Sequence, residues 1–383
     1  MKKILVSVDS FKGSLTTFEA GKAIEEAAKE VYKDVVTIIS PIADGGEGTV
    51  EAIIAATKGE FVETTVYNPL GENVQATYGY IPKTKTAIIE MAAAAGITLI
   101  TENERNPMNT TTYGVGEMIL HAISKGCRRF VIGIGGSATN DGGVGMLQAL
   151  GFEFLDENGK QVLLGAKGLK DIVTIRTENA VKELKECSFC VACDVKNVLC
   201  GDNGCSKIYG PQKGATPEMI EDMDLWLRKY AQLTKRVIPV SDANTPGTGA
   251  AGGMGFAFLS YLGATLMSGI ELVMKETDLE KHIKDADLVI TGEGRLDGQS
   301  YMGKAPIGVA KLAKKYNKPV IAFSGCVTDD AIACNEHGID AFFPIVRKPC
   351  TLEEAMDTNN AYKNLKDTAC QVFRLIRTGI ENR

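Results

Sequence analysis

Carboxylates, lysines and glycines recur together in this chain, each time where a strand pattern ends and a helix pattern begins. The first such loop is Asp9-Ser10-Phe11-Lys12-Gly13-Ser14, where Lys12 can meet an anion beside helix N–H groups that already favour negative charge. The second is Asp44-Gly45-Gly46-Glu47-Gly48-Thr49, with two carboxylates on a flexible backbone. The third and richest runs Gly133-Ile134-Gly135-Gly136-Ser137-Ala138-Thr139-Asn140-Asp141-Gly142-Gly143. Asp194 ends an apolar strand pattern, as a turn cap or a site carboxylate. Gly210-Pro211-Gln212-Lys213-Gly214-Ala215 puts a lysine in a rigid turn, and Gly292-Glu293-Gly294-Arg295-Leu296-Asp297 leads to Lys304. Phosphoryl transfer needs donors for phosphate, carboxylates for Mg2+ and a group that orients the attacking hydroxyl. These loops contain all three.

Other chemistries fit less well. Gly133–Ala138 and Gly247–Gly252 match G-x-G-x-x-[GA], the dinucleotide pattern, but two competing matches in a glycine-rich chain weaken each other. They read as phosphate or substrate cradles, and a nicotinamide-dependent oxidoreductase is the distant alternative. Gly298–Ala305 nearly matches a P-loop but ends in Ala305, without the hydroxyl that would ligate Mg2+. His121, His282 and His337 lie outside the glycine-rich loops, so a Ser-His-Asp hydrolase loses support. Cys187, Cys190 and Cys193 are spaced C-x2-C-x2-C, yet they fall in a buried-strand pattern and read as core.

The elements that position these loops form two α/β patterns separated by a different one. Lys3–Val8 reads as a strand, and Thr16 with Glu19 opens a helix through a capping box. Val35–Ile39, a glycine loop and a helix to about Lys58 repeat the unit, which implies a parallel sheet. From Phe61 to Glu90 the alternation is hairpin-like, with turns at Asn68–Gly71 and Pro82. Helices are expected at Tyr113–Ser124 and from Pro217, where Thr216 is the N-cap. Strands return at Phe130–Ile134, Asp287–Ile290, Pro319–Phe323 and Ala341–Ile345, with a helix over Pro306–Tyr316. The simplest architecture joins residues 1–60 and 285–383 in one α/β domain and inserts 61–284 as an α+β domain. A chain of 383 residues also exceeds the usual single core.

A net charge of −6 and the lack of a dense Lys/Arg run argue against nucleic acid or membrane as partners. No secretory signal or spanning apolar run is legible, so a cytoplasmic location is expected.

Taken together, Val8–Ser14, Ala43–Thr49, Gly135–Gly143, Asp194 with Gly210–Ala215, and Thr291–Asp297 resemble the glycerate kinase type 1 family, in order and over nearly the whole chain. Cys205 stands where a small residue such as Ala is expected. The resemblance implies ATP and Mg2+, D-glycerate as acceptor, 2-phosphoglycerate as the usual product, and a flavodoxin-like domain built from both chain ends. 3-Phosphoglycerate as product, or a related hydroxy acid as acceptor, stays open, as does monomer or homodimer. On this reading Lys12 and Arg295 meet the acceptor carboxylate, and Asp297 or Asp194 orients its hydroxyl. Ser10, Gly45, Gly46, Gly135, Gly136, Ser137, Asn140, Lys213, Gly292 and Gly294 contact substrate or phosphate, and Asp44 and Asp141 hold the metal.

Overall fold

The computed structural model describes residues 1–43, 45–46, 48–298, 300–302 and 304–381. The chain folds as two compact units, one of residues 1–44, 51–57 and 270–383, the other of 45–50 and 58–269.

The terminal unit is built on a five-stranded parallel sheet in the order Ala341–Pro344, Val320–Val327, Leu288–Leu296, Lys3–Val6, Val36–Ile39. Numbered by the unit's own chain order this is 2-1-3-4-5, the flavodoxin-like arrangement, with its topological switch between Lys3–Val6 and Leu288–Leu296. Ile4, Leu5 and Val6 face no solvent, the near-continuous apolar run of a strand covered on both faces. The helix Thr17–Val31 starts as expected, with Thr16 accepting from the Glu19 N–H and Glu19 accepting in return. Its Ala20, Ala23, Ile24 and Ala27 are fully buried, at the spacing of one helical face. It packs against the helix Thr358–Glu381, where Lys366 pairs with Glu26 at 3.0 Å and the Tyr32 hydroxyl donates to the Phe373 carbonyl. Residues 270–284, expected in the insertion, pack with this unit. Leu279 and Ile283 of the helix Leu279–Asp285 are fully buried, and that helix lies against Lys3–Val6 and the helix Ala305–Lys315.

The second unit has a six-stranded mixed sheet in the order Thr265–Met267, Ser188–Ala192, Arg129–Gly133, Thr86–Glu90, Asn73–Ile81, Glu60–Tyr67. The outer hairpin is the one the alternation implied, and its turn is held by Asn68, whose side-chain oxygen accepts from the N–H groups of Leu70 and Glu72. The helix Tyr113–Ser124 packs its Val115, Met118, Ile119 and Ala122 into the core beside Phe130 and Ile132. The helix Pro217–Val237 begins at Thr216 with proline in its first turn. Among the described residues no helix is long and apolar enough to cross a membrane.

Candidate active site

At the switch point of the terminal sheet two loops leave the carboxyl ends of adjacent strands, which is where open α/β sheets bind ligands. The backbone fixes them together: the Ser7 N–H donates to the Ile290 carbonyl at 2.8 Å and the Asp9 N–H to Gly292 at 2.9 Å. Phe11 and Leu15 close a tight loop through paired backbone bonds of 2.9 and 3.1 Å, leaving Lys12 exposed at its tip. On the neighbouring strand Gly292 sits where a Cβ would lie only 2.1 Å from the Phe323 carbonyl oxygen. Its part is therefore close strand packing, and the pocket is lined instead by Glu293, Gly294, Arg295 and Asp297.

These loops border a cavity of about 810 Å³, whose polar side carries Asp9, Ser10, Lys12, Glu293, Arg295, Asp297 and Lys304. Asp297 stands between two cations. Its Oδ2 lies 3.4 Å from Arg295 Nε and its Oδ1 lies 3.5 Å from Lys304 Nζ. Lys304 also reaches Glu293 Oε2 at 3.9 Å. Ser300 ties the two carboxylates together: its hydroxyl donates to Glu293 Oε1 at 2.7 Å and accepts from the Asp297 N–H at 3.1 Å. Burial pushes the Glu293 carboxyl up to about 7, with Asp9 and Asp297 adding to the rise and Ser300 and Lys304 opposing it. Glu293 and Ser300 were not anticipated as site residues. Their signal was a carboxylate between two glycines at a strand end and a hydroxyl in the loop that follows.

The second unit gathers another group of expected residues. Gly45 packs against Gly269 and Ala192, a fit with no room for a side chain, since a Cβ would lie 2.6 Å from Gly269 Cα. Gly46 approaches Gly135, and Gly135 and Gly136 are exposed. Asp194 is exposed as well, with Oδ1 accepting from the Gly269 N–H at 3.1 Å. Gly45, Gly46, Gly135, Gly136, Asp194 and Gly269 thus belong to one local neighbourhood.

Other residues beside them are taken up by the fold. Asp141, expected at the metal, is fully buried, and its carboxylate accepts from the N–H groups of Thr112, Gly143 and Gly145 and from the Thr112 hydroxyl. Those donors organise the loop and leave the carboxylate no open face for an ion. Burial raises its pKa while the same hydrogen bonds lower it. Lys213, expected at phosphate, is 2% exposed, and its ammonium donates to Ser137 Oγ at 2.8 Å and to the Thr139 carbonyl at 2.5 Å. Desolvation lowers its pKa to about 8. Asn140 is also buried, donating to Ser206 Oγ at 2.8 Å. Lys213 and Asn140 thus hold the Ser137–Asn140 turn from behind.

Asp44 lies outside the described residues. Among the described residues no group of three or more His, Cys, Asp or Glu side chains is arranged to hold a metal ion. Burial pushes the thiols of Cys187 and Cys205 up to about 11 and raises those of Cys193 and Cys200. His121 faces the Tyr78 hydroxyl at 3.2 Å, and His337 stacks on Tyr301.

A sequence model of the Glycerate kinase family matches residues 4–377. The chain belongs to the glycerate kinase family. The glycerate 2-kinase of Escherichia coli K12 is 48% identical over 380 residues, covering 99% of both chains. The glycerate kinases of Haemophilus influenzae and Bacillus subtilis 168 are 47% and 44% identical, covering 98% and 97% of both chains. A crystal structure from Salmonella typhimurium LT2, assigned provisionally as glycerate kinase 2, superposes with a TM-score of 0.92 at 46% identity over 99% of both chains. Both units of this glycerate kinase family member thus lie within a shared fold and a full-length match.

Proposed function

We propose that this chain transfers the terminal phosphoryl group of ATP to D-glycerate, giving ADP and 2-phosphoglycerate. The observation that carries the reading is Asp297, held between Arg295 and Lys304 at the switch point of a chain that matches the glycerate kinase family almost end to end. Lys12 and Arg295 are assigned to the acceptor carboxylate, for which a guanidinium and an ammonium are the natural partners. Asp297 orients the acceptor hydroxyl and draws its proton as the oxygen attacks phosphorus, and Asp194 is the second candidate for that role. Ser10 and Gly294 complete the polar side of the pocket. Gly45, Gly46, Gly135, Gly136 and Ser137 are assigned to phosphate through backbone and hydroxyl donors.

ATP enters as its magnesium complex, and the ion supplies charge neutralisation on the phosphates. Asp141 does not suit that ion, because its oxygens are already occupied by backbone and hydroxyl donors. An Asp base contributes about 10²–10⁴-fold, so positioning and charge neutralisation carry the rest of the rate.

The test is ADP release coupled to an indicator reaction, with D-glycerate, ATP and Mg2+, followed by phosphorus NMR of the product. Release that requires D-glycerate and yields the 2-phosphate supports the proposal. A 3-phosphate would revise the regiochemistry, and no glycerate-dependent release would overturn the assignment of acceptor.

A further inference from the structure

The pocket of the terminal unit has a wall for which glycerate has no use. Away from its charged residues the cavity is lined by Cys326, Val327, Ile345, Val346, Leu352 and Met356. Val346, Leu352 and Met356 are 38%, 78% and 37% exposed, so three sizeable apolar side chains gather uncovered in one concavity. Such a cluster marks a contact surface rather than a core. Its geometry is built in. Thr351 closes a capping box with Glu354, fixing the first turn of the helix Leu352–Met356, and Leu352 and Met356 stand four residues apart on one helix face.

Size points the same way. A cavity of about 810 Å³ lies in the upper part of the range for sites that hold drug-sized ligands. Glycerate has three carbons, each bearing oxygen, and so has no apolar face to bury. Of the two co-substrates in the function proposed above, only the nucleotide carries a flat ring system whose faces are apolar. We propose that this wall is the subsite for the purine base and ribose of the nucleotide, whose phosphates point towards Lys304 on the cationic side of the same cavity, beside the Lys12 and Arg295 assigned to the acceptor. The assignment rests on the ATP-dependent reading, and it gives a nucleotide role to the segment 344–356, which none of the glycine-rich motifs includes.

Cys326 and Cys350 provide the probe, since both are exposed and both line the cavity. The wild-type enzyme is alkylated with iodoacetamide alone, with AMP-PNP and Mg2+, with tripolyphosphate and Mg2+, and with D-glycerate, and the two thiols are followed by peptide mass spectrometry. Labelling at both is lost with AMP-PNP and persists with tripolyphosphate, which lacks the base, and with D-glycerate. Independently, Leu352→Asp raises KM for ATP by roughly tenfold or more and leaves KM for D-glycerate unchanged. Its exposed side chain makes that substitution compatible with folding. Glycerate-dependent turnover with both thiols still labelled in AMP-PNP, or an unchanged KM for ATP in the variant, overturns the subsite while the kinase reading stands. Protection by D-glycerate alone also overturns it and gives the wall to the acceptor. Protection by AMP-PNP without glycerate-dependent turnover supports the subsite and overturns the acceptor assignment instead.

Discussion

Replacing Glu293 with Gln separates what the shape of this side chain does from what its charge does. Glu293 is 9% exposed, and its Oε1 accepts from the Ser300 hydroxyl, which in turn accepts from the Asp297 N–H. Gln keeps an oxygen at that point, so the turn carrying Asp297 survives. What disappears is the titration. An unfolded glutamate titrates near 4.5 and the folded one at about 7, a gap worth roughly 3 kcal/mol. The folded state therefore holds a proton between those values that the unfolded state has lost. Stability from this group is full below 4.5 and falls as pH rises towards and through 7. The variant is free of that loss, so it gains on the wild type as pH rises. At about 2–4 °C per kcal/mol for units of this size, the difference in Tm grows by roughly 5–10 °C between pH 5 and pH 8. Thermal unfolding followed by circular dichroism at half-unit pH steps measures it. Because Glu293 braces the turn of Asp297 through Ser300, the same substitution removes an inflection near pH 7 from the wild-type kcat/KM profile, which reports groups of the unliganded enzyme. A Tm difference that stays flat from pH 5 to pH 8 would refute the reasoning, since it would mean that Glu293 is ionised throughout.

Asp297→Asn lowers kcat by roughly 10²–10⁴-fold with KM for ATP little changed; near-wild-type turnover would move the role to Asp194. Asp141→Ala orphans several buried donors and costs roughly 1–3 kcal/mol for each one left unpaired, read by urea unfolding, with Asp141→Asn milder. A variant of normal stability that needs more Mg2+ would instead restore Asp141 to the metal. Lys213 titrates at about 8 when folded and near 10.5 when unfolded. The unfolded chain thus binds more protons between those values, and wild-type stability rises with pH across that window. Lys213→Met abolishes the rise, and a flat wild-type profile there would count against a neutralised buried amine.

The architecture was legible where local chemistry and tertiary packing agree. The capping box at Thr16, the Thr216–Pro217 start and the Asn68 turn each depend on residues a few positions apart, and each stands where the sequence placed it. The resemblance located the loops by their motifs. It did not say which polar side chains would be covered. Asp141 and Asn140 sit in the same glycine-rich motif as exposed Gly135 and Gly136, and Lys213 in the Gly210–Ala215 motif, yet the fold buries these three as braces. That difference comes from distant partners, Thr112 for Asp141 and Ser206 for Asn140, which no local pattern announces. Glu293 was hidden for the same reason. Its importance arises from Ser300 and Lys304 closing over it, not from its neighbours in sequence. The apolar wall at 344–356 carries no motif at all, because exposed Val, Leu and Met become informative only once they are seen to share a cavity.

The pairing of Ile4 with Leu288, and of the helix Thr17–Val31 with Thr358–Glu381, has a consequence for the order in which a ribosome can finish the molecule. At about 5–20 residues per second, the first strand waits roughly 15–60 seconds for its central partner to be synthesised. Its alanine-lined helix waits longer still for its cover. Residues 58–269 are complete within that interval and can fold meanwhile. The terminal unit is thus begun first and folded last, and until the helix Thr358–Glu381 arrives its earliest apolar segment is a nascent-chain surface suited to a chaperone.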